Sequence, residues 1–380
     1  MNFTFLNQQV QNKRNIGQYR QVRVADSQLV NFASNDYLGL NGHPDIVDAF
    51  QSGLADFGTS SCSASLISGH TRAHQYLQDQ ICEWLGTSAC LLFSSGYAAN
   101  SGFFASLLKS GQVEVLFDRL CHASMLSQMF HYPKSCQRFK HNDALDLQKR
   151  LLKSDAENVV VAIEGVYSMD GYQGNISALH KQAIEHGAAL YIDDAHGIGV
   201  NGTYGQGSCS TVFSDVPDNV TQMFTFGKAL ATSGAAIAGS KDLIEYLTNV
   251  CSEYIFSTAM SAANAKATTK SIEICQTDVW RREKLRELQE LFADSLAKEI
   301  RTTGIDSPII GIYTGSEERT LAIAECLRER GLFVSAIRPP TVKPGSSRLR
   351  VTLSTNHNDK NIKALAYNLN QIMEKESLAC

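Results

Sequence analysis

The chain has 380 residues, 43% of them hydrophobic and 19% charged, with a formal net charge of −4. That length holds one large domain and one smaller one, each with a core of its own. The near-balanced charge offers no basic stripe to neutralise phosphates, which excludes nucleic acid as a main partner, and no apolar run reaches the roughly 18 residues of a membrane span.

The N-terminal stretch MNFTFLNQQVQNKRN has no apolar core behind a basic start, so no secretory signal is expected. The ten cysteines are scattered, with no C-x-x-C and no zinc spacing. They read as reduced thiols of a cytoplasmic protein that holds no metal.

The first 45 residues read as an arm with a helix and a short strand pair. Five apolar runs then look like strands covered on both faces: 89–93, 113–117, 159–163, 189–193 and 223–226. GAAIAGS (234–240) reads as a further strand, and 75–85 and 176–186 as amphipathic helices between strands. Such alternation predicts an α/β domain with a mostly parallel sheet. Beyond residue 240 the pattern changes to a long helix over 262–300, then SPIIGIYTG (307–315), a helix over 316–330, LFVSAI and RLRVTLS. These make a smaller α+β domain. The expected division is an arm 1–45, a large domain 46–275 and a C-terminal domain 276–380.

Ligands of such sheets collect at the carboxyl ends of the strands. There the sequence places SSGYAAN (94–100), a turn opening a helix N-terminus suited to a phosphate. It also places His122 after the second run, EGVYSMDG (164–171) after the third, the adjacent Asp193 and Asp194 after the fourth, and Lys228 after the fifth. Each signal alone is modest, although two adjacent carboxylates ending a buried strand are hard to explain as packing. A lysine between two buried strands, however, needs a partner, a depressed pKa or a covalent role. A phosphate cradle, a flat histidine, a buried acid and a lysine together are the parts of a pyridoxal 5′-phosphate (PLP) site. A nucleotide-binding site is disfavoured, because both G-x-x-x-x-G-K-[ST] and G-x-G-x-x-G are absent.

The motifs NFASNDYLGL (31–40), LFSSGYAANSG (92–102), DRLCHASM (118–125), EGVYSMDG, DDAHGIGVNGTYGQGS (193–208), TFGKALATSGAA (225–236), FSTAM (256–260) and IRPPTVKPGSSRLRVTLS (337–354) resemble the α-oxoamine synthases. These are fold-type I PLP-dependent transferases, aspartate aminotransferase-like, and the resemblance runs from about residue 6 to 372. It implies a seven-stranded, mostly parallel sheet. It implies that Lys228 carries the cofactor as a Schiff base and shuttles a proton. Asp193 would pair with the pyridine nitrogen, His196 would bond the ring hydroxyl, and His122 would stack on the ring. Gly96, Tyr97, Ser168 and Thr225 would complete the cofactor shell. Arg350, with Asn35, would hold the amino acid carboxylate; Arg20 and Thr341 would contact the acyl substrate. Ser257 and Thr258 would serve the phosphate of a neighbouring subunit, which implies a homodimer.

Within the family the resemblance is strongest to the members that condense L-alanine with pimeloyl-CoA, or with pimeloyl on a carrier protein, releasing CO2 on the way to biotin. The implied role of His122 extends to polarising the thioester oxygen. Other readings are a sister synthase using another amino acid and acyl group, an aminotransferase, and a non-catalytic partner subunit on the same fold. GTSSCSASLISG (58–69) departs from the glycine-rich stretch usual in the family, and bears on acyl-chain specificity.

Overall fold

Apolar runs bounded by turn residues become strands here because both of their faces find a core. In Val113–Asp118, Val115 and Phe117 join one buried cluster and Leu116 the other. In Asn158–Glu164, Val160 and Ala162 alternate in the same way with Val161 and Ile163. In Ala189–Asp193, Tyr191 faces Phe103 and Phe104, whereas Leu190 and Ile192 face Leu179 and Ala183. A period of two with both phases apolar is the pattern of a sheet covered on both sides. Each fully buried large side chain contributes about 1.5–3 kcal/mol.

In this computed structural model, which describes residues 3–16, 18–22 and 24–374, seven strands form one sheet. Their spatial order is Ala89–Phe93, Ala235–Gly239, Val220–Thr225, Ala189–Asp193, Asn158–Glu164, Val113–Asp118 and Cys136–Phe139. Ala235–Gly239 runs antiparallel to both of its neighbours, and all other pairs are parallel. Cys136–Phe139 was not foreseen as a strand. It is four residues long, lies at the sheet edge and carries Gln137 and Arg138, so its apolar signal is weak.

The chain divides into two compact units. Residues 35–287, with 354–356, form the larger; the remaining described residues form the smaller. The short strand Val30–Asn31 pairs in parallel with Leu332–Phe333, which ties the arm to the C-terminal segment. The long helix expected over 262–300 is two helices, Ala262–Thr277 and Val279–Ser295, because Asp278 leaves helical geometry (φ −83°, ψ 60°). The division falls inside the second of them.

The smaller unit holds an antiparallel sheet in the order Ser335–Ile337, Ser347–Thr352, Ile309–Gly315, with helices Glu317–Glu329 and Asp359–Glu374. Among the described residues, no helix is long and apolar enough to cross a membrane. Among the described residues, eight cysteines are free thiols, several of them core filler such as Cys121, Cys136 and Cys251.

Candidate active site

Lys228 sits on a closed loop rather than a free one. Phe226 N–H donates to Gly234 O, Thr232 N–H to Phe226 O and Ala231 N–H to Lys228 O, each at 2.9 Å. Ser271 Oγ donates to Leu230 O (2.6 Å), and Thr232 and Thr268 hydroxyls bond at 2.8 Å, so helix Ala262–Thr277 clamps the loop. Ala231 is held at φ 52°, a left-handed conformation costing a non-glycine residue about 1 kcal/mol. The loop returns the chain into the antiparallel strand Ala235–Gly239.

Lys228 is half-buried. Its Nζ lies 2.7 Å from His196 Nε2. His196 is buried on the turn after Asp193, and its Nδ1 lies 2.5 Å from the hydroxyl of the fully buried Tyr37. Tyr37 Oη in turn donates to Asn35 Oδ1 at 3.1 Å. This fixes a direction. With the tyrosine proton given to Asn35, Tyr37 Oη accepts from His196 Nδ1–H, and His196 Nε2 is left to accept a proton from Lys228.

The paired carboxylates divide their work. Asp193 ends its strand with 5% of its surface exposed; Oδ2 accepts from Asn100 Nδ2 (2.7 Å) and Oδ1 from Ala195 N–H (3.1 Å). Asp194 turns away into a sealed pocket. Ser208 Oγ donates to Oδ1 and Ser208 N–H to Oδ2, both at 2.6 Å, and Gln222 Nε2 donates to Oδ2 at 2.9 Å. Burial pushes the Asp194 carboxyl up to about 7 against those three donors. Gly165 and Gly197 are required beside it, because a Cβ on either would stand 2.1 or 2.0 Å from Asp194 Oδ1.

Around Asp193 the structure gathers groups from neighbouring strand ends. Asn100 also donates to Ser124 Oγ (2.9 Å), and its Oδ1 accepts from Tyr191 Oη (2.7 Å). Ser124 Oγ lies 2.7 Å from His122 Nδ1, which also accepts from Ser124 N–H at 3.3 Å. A nitrogen accepting a backbone N–H carries no proton, so the neutral His122 ring holds its proton on Nε2. Desolvation lowers the pKa of His122; the Asp193 charge opposes this and that of Lys228 adds to it. Glu164, paired in register with Asp193, is buried, and its carboxyl is held well above the usual range, first by desolvation and then by the Asp193 charge. Its Oε2 accepts from Ser168 N–H at 3.1 Å, while its Oε1 has no hydrogen-bond partner.

Gly96 and Tyr97 open helix Gly96–Lys109, where Ser95 Oγ caps the Ala98 N–H (3.2 Å). A Cβ on Gly96 would lie 3.6 Å from Thr225 Cβ, so the helix start and the end of Val220–Thr225 adjoin. Tyr97 is 57% exposed. Ser257 and Thr258 lie on a segment stitched to the 58–69 stretch. Thr258 bridges to Ala64, Ala259 N–H donates to Ser63 O (3.0 Å) and Ser61 Oγ to Met260 O (2.6 Å). Arg20, Thr341 and Arg350 belong to the smaller unit. There Arg20 and Thr341 are exposed; Arg350 is buried in its sheet, with Nη1 donating to Thr352 Oγ1 at 3.0 Å.

Sequence reasoning missed Asn100, Ser124, Tyr37 and Glu164 as parts of this cluster, though each lies inside a motif it quoted. A usable signal existed for Asn100: an asparagine among alanines in a helix is a poor helix former, and when buried it must be satisfied by specific partners.

The fold and this strand-end cluster define a class in which a lysine, a carboxylate and a helix N-terminus converge at one edge of a mostly parallel sheet. Residues 27–369 match the family model of aminotransferase class I and II, and the chain belongs to that family. It is 40% identical over 343 residues to 8-amino-7-oxononanoate synthase of Aliivibrio fischeri, covering 90% of this chain and 88% of that one. To the enzyme of the same name from Saccharophagus degradans it is 37% identical, covering 98% and 97%. Among solved structures, serine palmitoyltransferase from S. paucimobilis with a bound PLP–myriocin aldimine superposes with a TM-score of 0.88 at 24% identity, over 97% of this chain and 96% of that one. At that identity the likeness concerns the fold.

Proposed function

We propose that this chain is a PLP-dependent acyltransferase. It condenses L-alanine with a pimeloyl thioester, on CoA or a carrier protein, to give 8-amino-7-oxononanoate, the free thiol and CO2 in biotin biosynthesis. The observation that carries the reading is the placement of Lys228, His196 and Asp193 at adjoining strand ends of a chain 40% identical to such synthases.

The residues fit the cofactor. The first-turn amides at Gly96 and Tyr97 have no partners within their helix and suit a phosphate. Asp193 supplies a buried negative charge for a protonated ring nitrogen, and the orphaned Glu164 Oε1 is a polar atom awaiting a partner. When bound, PLP takes up the electron pair left by removal of an amino acid's α-proton.

The remaining work falls to the chain. Lys228 Nζ receives the α-proton of alanine and can pass it to His196 Nε2, whose other nitrogen is held by Tyr37. His122, with Nδ1 occupied by Ser124, offers Nε2–H to the thioester oxygen as charge develops there. Arg350 holds the alanine carboxylate with Asn35, and Arg20 and Thr341 contact the acyl substrate. The thioester carbon gains the bond to the alanine α-carbon and loses the thiolate; the resulting β-keto acid loses CO2, and the α-carbon takes up a proton in its place.

Ser257 and Thr258 complete the phosphate site of a second copy, making a cytoplasmic homodimer. Phe256 and Ile67, each 81% exposed, flank that segment and suit burial between copies. The test is borohydride reduction of the PLP-loaded protein followed by peptide mapping. The label belongs on Lys228; a label on another lysine sinks the assignment.

A further inference from the structure

Asn100 is almost fully buried, at 1% exposure, and both of its N–H donors and its amide oxygen are engaged. Nδ2 faces two acceptors, Asp193 Oδ2 at 2.7 Å and Ser124 Oγ at 2.9 Å. Oδ1 accepts from the hydroxyl of Tyr191, fully buried behind it, at 2.7 Å. The amide cannot be turned over, because that would set its oxygen against the Asp193 carboxylate. Since Ser124 Oγ accepts from Asn100, its own proton is free to go to His122 Nδ1, 2.7 Å away. One side chain therefore touches, directly or through one hydroxyl, the two groups that would face a bound ring.

We propose that Asn100 is the positioning residue of this site, holding the Asp193 carboxylate in place with one N–H and orienting His122 through Ser124 with the other. The proposal rests on the PLP reading above. Helix Gly96–Lys109 thus serves the cofactor at two levels, with phosphate-binding amides in its first turn and, one turn later, the side chain that aims the ring's counter-charge. Tyr191, two residues before Asp193 on the same strand, locks the amide from behind.

The test is a double-mutant cycle read as the equilibrium dissociation constant of PLP, with no substrate present. Asn100→Leu removes both donors at similar volume, and Asp193→Asn removes the charge. If Asn100 acts through Asp193, Asn100→Leu weakens PLP binding about tenfold or more in the wild-type background, and less than about threefold when Asp193 is already Asn. A merely structural role gives the same loss in both backgrounds, and that result overturns the proposal. Should Asn100→Leu not fold, the isosteric Asn100→Asp replaces it, setting an acceptor against Asp193; at pH 8 it must weaken PLP binding at least as much, and an unchanged constant overturns the proposal. A wild-type chain that binds no PLP overturns the cofactor reading itself, a result distinct from additive losses in a chain that does bind it.

Discussion

The Nζ of Lys228 lies 2.7 Å from the Nε2 of His196, and the opposite nitrogen of that imidazole is held by Tyr37 at 2.5 Å. The lysine therefore has a proton acceptor already aimed at it, on a loop fixed by hydrogen bonds to a neighbouring helix. Tyr37→Phe removes the acceptor of His196 Nδ1–H in a buried setting. The loss of such a bond is worth about 1–3 kcal/mol. We expect kcat/KM to fall about tenfold or more while the fold is retained; a variant as active as wild type would disconnect Tyr37 from the proton path.

The two adjacent aspartates should separate cleanly in their effects. Asp193→Asn removes the site's charge while nearly keeping its shape, so exchange of the α-proton of L-alanine in D2O, followed by NMR, should drop by orders of magnitude. Asp194→Asn sets an NH2 group against donors from Ser208 and Gln222, so its first effect is a lower melting temperature. Loss of exchange in Asp194→Asn at unchanged stability, with Asp193→Asn near wild type, would reverse the two roles.

The raised carboxyl of Asp194 has a consequence for stability. Its folded pKa of about 7 stands well above the usual aspartate range, so the protonated form is favoured in the folded state. The stability it contributes is fully present below about pH 4 and is lost as pH rises through 7. For a fully buried group, a rise from the usual aspartate range to about 7 corresponds to roughly 4 kcal/mol. Measured by urea unfolding of the cofactor-free chain, the stability of wild type relative to Asp194→Asn should fall between pH 5 and pH 8. A difference that stays flat or widens with pH contradicts the assignment.

Arg20 lies exposed beyond helix Thr4–Asn15, outside any helix or strand. If it meets the distal carboxylate of pimelate, Arg20→Ala should lower kcat/KM on pimeloyl-CoA about tenfold or more relative to a neutral acyl-CoA of similar length. Equal losses on both substrates would move its contact to CoA, and no loss on either would leave it without a role in binding.

Much of this was readable in the residues, for reasons that differ by element. Strands buried on both faces announce themselves as apolar runs, so Ala89–Phe93 and Ala189–Asp193 are found to the residue. The edge strand Cys136–Phe139 was not read, because partial exposure lets polar residues into it. The break at Asp278 was missed because an apolar period runs through both helices, and one backbone departure leaves it nearly in phase. In the site, titratable residues at strand ends stood out: His122, Asp193, Asp194 and Lys228, with His196 added by the family resemblance. The neutral side chains that aim them, Tyr37, Asn100 and Ser124, did not, since a hydroxyl or an amide gains its meaning from what folding places within 3 Å of it.

The most direct measurement is a product assay. The purified chain, loaded with PLP, is incubated with L-alanine and pimeloyl-CoA, and the mixture is analysed by mass spectrometry together with free thiol and CO2. The account predicts 8-amino-7-oxononanoate, with one thiol and one CO2 released per product, and none of these from Lys228→Ala. Turnover of glycine or serine with another acyl-CoA, and none of L-alanine with pimeloyl-CoA or a pimeloyl carrier protein, would contradict it.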